Sequence, residues 1–381
     1  MKVLFVSTAD YKYGAAKTQI DMIVELKNAY GVVPVVLTKK HNAFNDLCDE
    51  LGIENYYYWY RDIMAGSAYS SPILNIAKHI VKYLLYLRGA LTQRGVMHCG
   101  ICWDEIEIIH SNHIRIDIGA YISRKTGIPH VWHIKELNQG HVKIVHYKPR
   151  CYRYINDNAD RFIAVTRQVR EYWCRAGLDK IKTIVIYEGV DIDKFIPGKK
   201  REDSQLRLVC VGRIEKSKGQ LQILQAMVRL PEKVRKNVTL DLIGEPYPDY
   251  FRQLQSYIKK NALEDKVRFL GYQDNVPELL AGYDVGILSS RGDAFGTVVA
   301  EYMAAGLLAI ATYTELAEHQ KTGLRYEFGD IEKLAENIRY VYENRTQADR
   351  IAEAGAAAIR GNYSIEANAS EVYKLYQNMV S

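Results

Sequence analysis

The sequence predicts an α/β protein built from two Rossmann-like, doubly wound domains, each a parallel sheet with helices on both faces. Strand-like apolar runs alternate with helical periodicity along the whole chain, which is the pattern of repeated βαβ units. At 381 residues the chain also exceeds what one hydrophobic core usually organises. Near the middle, Phe195-Ile196-Pro197-Gly198-Lys199-Lys200 interrupts the alternation and separates two series of units.

The first series opens with a buried strand at Lys2–Ser7, a helix at 18–28 and a strand at 32–37. Residues 107–110 and 129–134 read as strands joined by a helix at 116–126, and 161–165 and 181–187 add two more. The second series places strands at 206–212, 239–244, Val267–Gly271, 285–289 and 308–312, with helices between them. Residues 364–380 read as a closing helix, and no short repeat or low-complexity tract interrupts the plan. Ligands of such sheets bind at the C-terminal ends of the strands, so function is expected in a cleft across which the two domains face each other.

Composition narrows the class. Hydrophobic residues at 48% and charged residues at 25% suit a globular protein, and charge breaks every apolar run before the roughly 20 residues of a membrane span. The N-terminus lacks the long apolar segment of a secretion signal, and six cysteines without such a signal point to reduced thiols and a cytoplasmic protein. Cys99-Gly100-Ile101-Cys102 lies beside His98, yet neither Cys151 nor Cys174 belongs to a second ligand-like pair, so no metal site is expected. The absence of Gly-x-Gly-x-x-Gly at 7–14 argues against a dinucleotide oxidoreductase, and the lack of a concentrated basic-aromatic motif against nucleic-acid binding.

All of the net charge of +6 lies in residues 1–195. That surplus suits either solubility or an anionic lipid or acidic acceptor. Within the same half, Tyr56-Tyr57-Tyr58-Trp59-Tyr60 precedes a helical stripe made by Ile73, Ile76, Ala77, Ile80, Val81, Leu84 and Leu85, flanked by Lys78, Lys82 and Arg88. Packing against the N-terminal sheet is the commoner use of such a face. Peripheral contact with the inner face of a membrane is the alternative.

Two loops of the second series carry chemistry. Gly212-Arg213-Ile214-Glu215-Lys216-Ser217-Lys218-Gly219 links a strand to the helix at 220–230 and sets cations near a helix N-terminus, which suits a diphosphate. Ser289-Ser290-Arg291-Gly292-Asp293-Ala294-Phe295-Gly296 leaves a strand and enters a helix through Thr297, whose first amides can face an anion. Asp293 precedes Glu301 by about two helical turns, a spacing that lets the two carboxylates address opposite ends of a nucleotide sugar. Glu301 stands among small apolar residues, where an unpaired carboxylate is costly.

In order and spacing these motifs resemble the retaining glycosyltransferases of the GT-B fold known as family 4, or group 1. Asp293 and Glu301 match the family's Glu-x7-Glu pattern, the 212–219 loop its phosphate loop, and Tyr187-Glu188-Gly189-Val190-Asp191 through Phe195 its segment before the linker. The resemblance implies an acceptor-side domain over 1–195, a donor-binding domain over 196–363, and a helix over 364–381 that packs back on the first domain. It also implies a hexosyltransferase-type enzyme that needs no metal or cofactor, with a UDP- or GDP-sugar donor and a glycan or lipid-linked sugar acceptor in cell-surface polysaccharide synthesis.

By the same resemblance Arg213 and Lys218 hold the diphosphate, Glu301 the ribose, and Asp293 with the Phe295 and Gly296 amides the transferred sugar; Gly14, Gly212, Gly244, Ala294 and Thr297 complete the donor-binding set, and His133 and Lys135 join Asp293, Arg213 and Lys218 as catalytic candidates. The chain departs from the family in four places. Tyr13-Gly14 replaces paired glycines, the first carboxylate is Asp293 rather than Glu, and the Gly-Gly turn after Thr314 is absent. Aligned on Gly127-Ile128-Pro129, Lys135 stands where many relatives place a catalytic histidine, while His133 lies two residues earlier on the same strand face. A GT-B phosphorylase or epimerase, or a catalytically silent nucleotide-sugar-binding protein, would share most of these motifs.

Overall fold

A computed structural model describes residues 1–8, 14–67, 72–137, 143–198 and 203–381. It divides into two compact units. Unit 1 comprises Met1–Gly189 with Ile365–Ser381, and unit 2 comprises Val190–Ser364.

In unit 1 the strands are β1 (Lys2–Ser7), β2 (Val33–Thr38), β3 (Glu54–Tyr57), β4 (Met64–Ser67), β5 (Ile108–Asn112), β6 (His130–Ile134), β7 (Lys143–His146), β8 (Arg161–Ala164) and β9 (Thr183–Val185). Seven of them form a parallel sheet in the order β3-β2-β1-β5-β6-β8-β9, and β4 pairs antiparallel with β7. Val3, Leu4, Phe5 and Val6 of β1 are all buried, as a parallel strand covered on both faces requires. Side-chain alternation then sorts them: Val3 and Phe5 enter one core cluster, Leu4 and Val6 the other.

The helices of unit 1 are α1 (Gly14–Tyr30), α2 (Ala43–Glu50), α3 (Pro72–Thr92), α4 (Ile118–Thr126), α5 (Cys151–Asp157) and α6 (Arg167–Ala176). Their ends follow local chemistry. A capping box at Asn42 starts α2, the Thr166 hydroxyl accepts the Val169 amide at the start of α6, and Gly127 at φ 78° ends α4 in the left-handed region.

Unit 2 repeats the plan with β10 (Leu206–Val211), β11 (Val238–Ile243), β12 (Val267–Gly271), β13 (Val285–Leu288), β14 (Leu308–Ala311) and β15 (Leu324–Arg325), in the order β12-β11-β10-β13-β14-β15. Its helices are α7 (Gln220–Arg229), α8 (Glu232–Arg235), α9 (Pro248–Lys260), α10 (Val276–Leu280), α11 (Thr297–Ala304), α12 (Ile331–Glu343) and α13 (Arg345–Asn362). One large cluster around Leu208, Leu240, Ile287, Ile310 and Ile338 forms its core. The strand order reverses between β1 and β5 in unit 1, and between β10 and β13 in unit 2, and such switch points are where doubly wound sheets bind ligands.

The chain returns to unit 1 through α14 (Ile365–Val380). Ile365, Ala369, Val372, Leu375 and Tyr376 line one face of it and join the cluster of Val3, Phe5 and Ile23. Tyr373 stacks on Tyr30 of α1 with ring centroids 4.6 Å apart.

One sequence expectation for residues 56–92 needs correction. Of the aromatic run 56–60, Tyr56 and Tyr57 lie in the edge strand β3, and Tyr60 is buried and donates its hydroxyl to the Ser7 carbonyl at 2.9 Å. The apolar stripe of α3 does not pack against the sheet: Ile76, Ile80, Val81 and Leu84 are exposed. The reason lies on the opposite face, where Tyr86 and Gly89 are buried and His79 meets the Tyr147 hydroxyl at 3.3 Å. A Cβ on Gly89 would fall 2.9 Å from Arg61 Cγ, so the helix approaches the body through its small and aromatic side. The side chain of Ile73 lies outside the described residues.

Candidate active site

The phosphate-loop residues sit where β10 and β11 end. Gly212 and Gly244 adopt φ 145° and 146°, and a Cβ on Gly244 would stand 2.1 Å from the Gly212 carbonyl oxygen. Only glycine allows this approach. The loop then turns through Lys216–Lys218 into Gly219, at φ 67°, where a Cβ would meet the Ser289 carbonyl oxygen at 2.2 Å.

That close approach joins the two loops expected to carry chemistry. The Ser289 hydroxyl donates to the Lys218 carbonyl at 2.7 Å, the Arg291 amide to the Ser217 carbonyl at 3.1 Å, and Gln222 Nε2 to the Ser289 carbonyl at 3.2 Å. Gln222 Oε1 in turn accepts the Gly329 amide at 2.6 Å. The backbone of both loops is therefore held by side chains at the C-terminal edge of the unit 2 sheet.

On this frame the Lys218 ammonium lies 3.2 Å from Asp293 Oδ2, both side chains being partly exposed. Arg213 extends beside Glu215, with 3.4 Å between guanidinium and carboxylate, and the Ser217 hydroxyl donates to the same Glu215 oxygen at 2.6 Å. A cation from one loop and a carboxylate from the other thus share one site, as a diphosphate ester of a sugar would require.

α11 begins at Thr297 with Gly296 as N-cap, at φ 83° and without a side-chain cap. Asp293 therefore does not cap this helix. Phe295 is buried against Tyr363 with centroids 5.9 Å apart, and its carbonyl accepts the Thr314 hydroxyl at 3.1 Å. Arg325 donates to the Thr314 carbonyl at 2.7 Å and also bonds the Ala317 carbonyl, so the turn after β14 is tied down by side chains in place of a glycine pair. Ala294, Thr297 and Glu301 are half-buried.

The other candidates belong to unit 1. Gly14 is the first residue of α1, and its neighbour Tyr13 lies outside the described residues. Lys135 is half-buried and its ammonium sits 2.9 Å from Glu188 and 3.3 Å from the Thr18 hydroxyl. His133 is buried on β6, with Nδ1 3.0 Å from His110 Nε2, while His110 Nδ1 meets the Tyr376 hydroxyl of α14 at 2.5 Å. Burial, then the Lys135 charge, holds His133 well below its ordinary pKa, and burial pushes His110 down to about 3. Both rings are neutral at neutral pH. His133 Nε2 is buried without a hydrogen-bond partner among the described residues.

The sequence reading missed Glu188 as the partner of Lys135, and the His110–Tyr376 contact behind His133. A glutamate one residue before Gly189 is a detectable signal. Residues 110 and 376 are far apart in the chain, and no local pattern links them.

Two family models cover most of the chain: Glycosyltransferase Family 4 over residues 49–194 and Glycosyl transferases group 1 over residues 191–358. Both halves of the chain are glycosyltransferase domains of the GT-B fold. The solved structure of HepE from Anabaena in complex with UDP superposes with a TM-score of 0.80 at 22% identity, covering 99% of this chain and 100% of that one. Among curated relatives, N-acetyl-alpha-D-glucosaminyl L-malate synthase of Bacillus anthracis is 29% identical over 182 residues, 47% of each chain. The lipopolysaccharide core biosynthesis glycosyltransferase LpsE of Rhizobium meliloti is 29% identical over 165 residues, 42% of this chain and 46% of the relative. The chain thus spans about half the length of these two relatives. Within these glycosyltransferase domains, the Lys218–Asp293 pair lies in the segment matched by the group 1 model.

Proposed function

We propose that the protein moves a hexose-type sugar, with retention of configuration, from a UDP- or GDP-sugar to a hydroxyl of a glycan or glycolipid acceptor. The observation that carries this reading is the pairing of Lys218 with Asp293 beside the N-terminus of α11. Its cation suits the diphosphate and its carboxylate the sugar hydroxyls. The UDP complex of HepE supports the donor class, and the lipopolysaccharide relative supports cell-surface polysaccharide synthesis. Peripheral contact of unit 1 with a membrane, at its inner face, belongs to the same reading, because a lipid-linked acceptor is presented there.

In this mechanism Arg213, Lys218 and the first amides of α11 stabilise the charge that grows on the diphosphate as its bond to the anomeric carbon breaks. The acceptor oxygen bonds that carbon on the same face, and its proton passes to the departing phosphate oxygen. Asp293 and Glu301 orient the sugar and the ribose. No step uses a metal ion.

The test is product analysis with a panel of UDP- and GDP-sugars, with and without lipid-linked or glycan acceptors. A glycoside with the donor's anomeric configuration is the expected product. An inverted product would remove the retaining mechanism, sugar phosphate formed from inorganic phosphate would indicate a phosphorylase, and an isomerised sugar without acceptor an epimerase.

A further inference from the structure

The face that α3 turns away from unit 1 is its apolar one. Ile76 is 63% exposed, Ile80 55%, Leu84 58% and Leu91 81%, and Val81, Tyr83 and Leu87 are exposed beside them. At 100° per residue, Ile76, Ile80, Leu84, Leu87 and Leu91 fall within an arc of roughly 80°. Scattered surface leucines need no explanation, but a continuous stripe along most of a 21-residue helix does.

Charge identifies what covers it. Between Asp62 and Asp104 the sequence holds no Asp or Glu, and it holds Lys78, Lys82, Arg88 and Arg94. Of these, Arg88 lies about 40° beyond the Leu84 edge of the apolar arc, while Lys78 and Lys82 fall on the opposite side of the helix. Beside the helix, Trp59 is partly exposed with its ring 4.8 Å from the Arg61 guanidinium and 5.8 Å from that of Arg88. An amphipathic ring between cations is suited to the level of lipid head groups. A second copy of this chain would meet the apolar arc but bring the same cations to its rim, whereas an anionic bilayer answers both.

We propose that α3 is an anionic-lipid docking helix, lying in the plane of the membrane surface with Ile76, Ile80, Leu84, Leu87 and Leu91 in the acyl boundary. Trp59, Arg61 and Arg88 meet the head groups. Tyr86, His79 and Gly89 fasten the helix to the body from behind, so it docks as a rigid part of unit 1. The proposal deepens the lipid-linked acceptor reading and rests on it for its purpose, but not for its measurement.

The experiment is flotation of the full chain with vesicles of phosphatidylcholine alone, and of equal parts phosphatidylcholine and phosphatidylglycerol, without any sugar substrate. Wild type is expected to float with the mixed vesicles and roughly tenfold less with phosphatidylcholine alone. The Ile80→Glu, Leu84→Glu double variant is expected to lose flotation by roughly tenfold or more. These side chains are exposed, so the fold should hold, and an unchanged UDP titration in the same preparation checks this. Equal flotation of variant and wild type, or no flotation with mixed vesicles, overturns the proposal. So does a wild-type dimer in sedimentation velocity that the variant converts to monomer, since that assigns the face to a second copy. A protein that floats but transfers no sugar to lipid-linked acceptors removes the acceptor reading and leaves the docking helix standing.

Discussion

Asp293→Asn separates the proposed sugar contact from every structural duty of this residue. Gly296 is the N-cap of α11 and takes no side-chain bond, so the substitution removes no cap. What it removes from the folded protein is the partly exposed pair with Lys218 at 3.2 Å. Pairs of this kind contribute about 0.2–1 kcal/mol, a change in Tm of a few degrees at most. For bare UDP the loss is a gain, because Lys218 no longer shares its ammonium with a carboxylate. Affinity should hold or tighten by up to about fivefold, the same energy read as binding. For the full nucleotide sugar the variant lacks a charge-assisted bond, about 1.5–3 kcal/mol, or a turnover loss of roughly ten- to 150-fold. Calorimetry with UDP and a coupled assay of UDP release measure the two quantities. Wild-type turnover, or a loss of UDP affinity as large as the loss of turnover, would refute the reasoning.

Other predictions follow from the same geometry. Glu301→Gln, Arg213→Ala and Lys218→Ala should each weaken UDP binding by about 1.5–3 kcal/mol through lost charge-assisted bonds, and unchanged calorimetric affinity in all three would remove this donor map. Gly244→Ala places a Cβ 2.1 Å from the Gly212 carbonyl at φ 146°, so it should lower Tm and cost roughly 1–3 kcal/mol of stability; a Tm equal to wild type counts against the close approach. Tyr376→Phe leaves His110 Nδ1 without its hydrogen bond and should cost about 1–3 kcal/mol in denaturant unfolding, with a neutral result showing the contact to be dispensable.

The buried histidines also set an acid limit. His110 and His130 are pushed down to about 3 and about 4 by burial, and His133 lies well below its ordinary value for the same reason. As pH falls below 6.5, the ordinary value for histidine, the unfolded chain binds their protons before the folded one does. Each group then removes up to about 1.4 kcal/mol of stability per pH unit, until its folded pKa is reached. Burial raises Asp117 to about 6, so it acts the other way and its contribution fades as pH rises toward that value. Three groups outweigh one, and Tm should fall between pH 6.5 and 4.5. A flat profile would contradict neutral burial.

The doubly wound plan was legible because each strand carries its own signal, as in the apolar run of β1, and because glycines mark the turns between strand and helix. Gly212, Gly219 and Gly296 were readable as loop residues for that reason, and Asp293 and Glu301 through their fixed spacing. Contacts between distant segments left no such trace. The bond from Ser289 to Lys218, the pair of Lys135 with Glu188 and the chain from Tyr376 through His110 to His133 depend on where the sheet brings the ends of strands together. Periodicity found the stripe of α3 but could not tell inward from outward. That choice was made by Tyr86, Gly89 and His79, whose packing on unit 1 turns the leucines away.

The central claim is a nucleoside-diphosphate site in unit 2, built by Arg213, Lys218 and Glu301. Calorimetric titration of the full chain with UDP and with GDP, repeated with Glu301→Gln, tests it most directly. Saturable binding of at least one of the two, weakened at least about tenfold in the variant, is the predicted result. Binding of neither nucleotide, or binding of equal strength in wild type and variant, would contradict it.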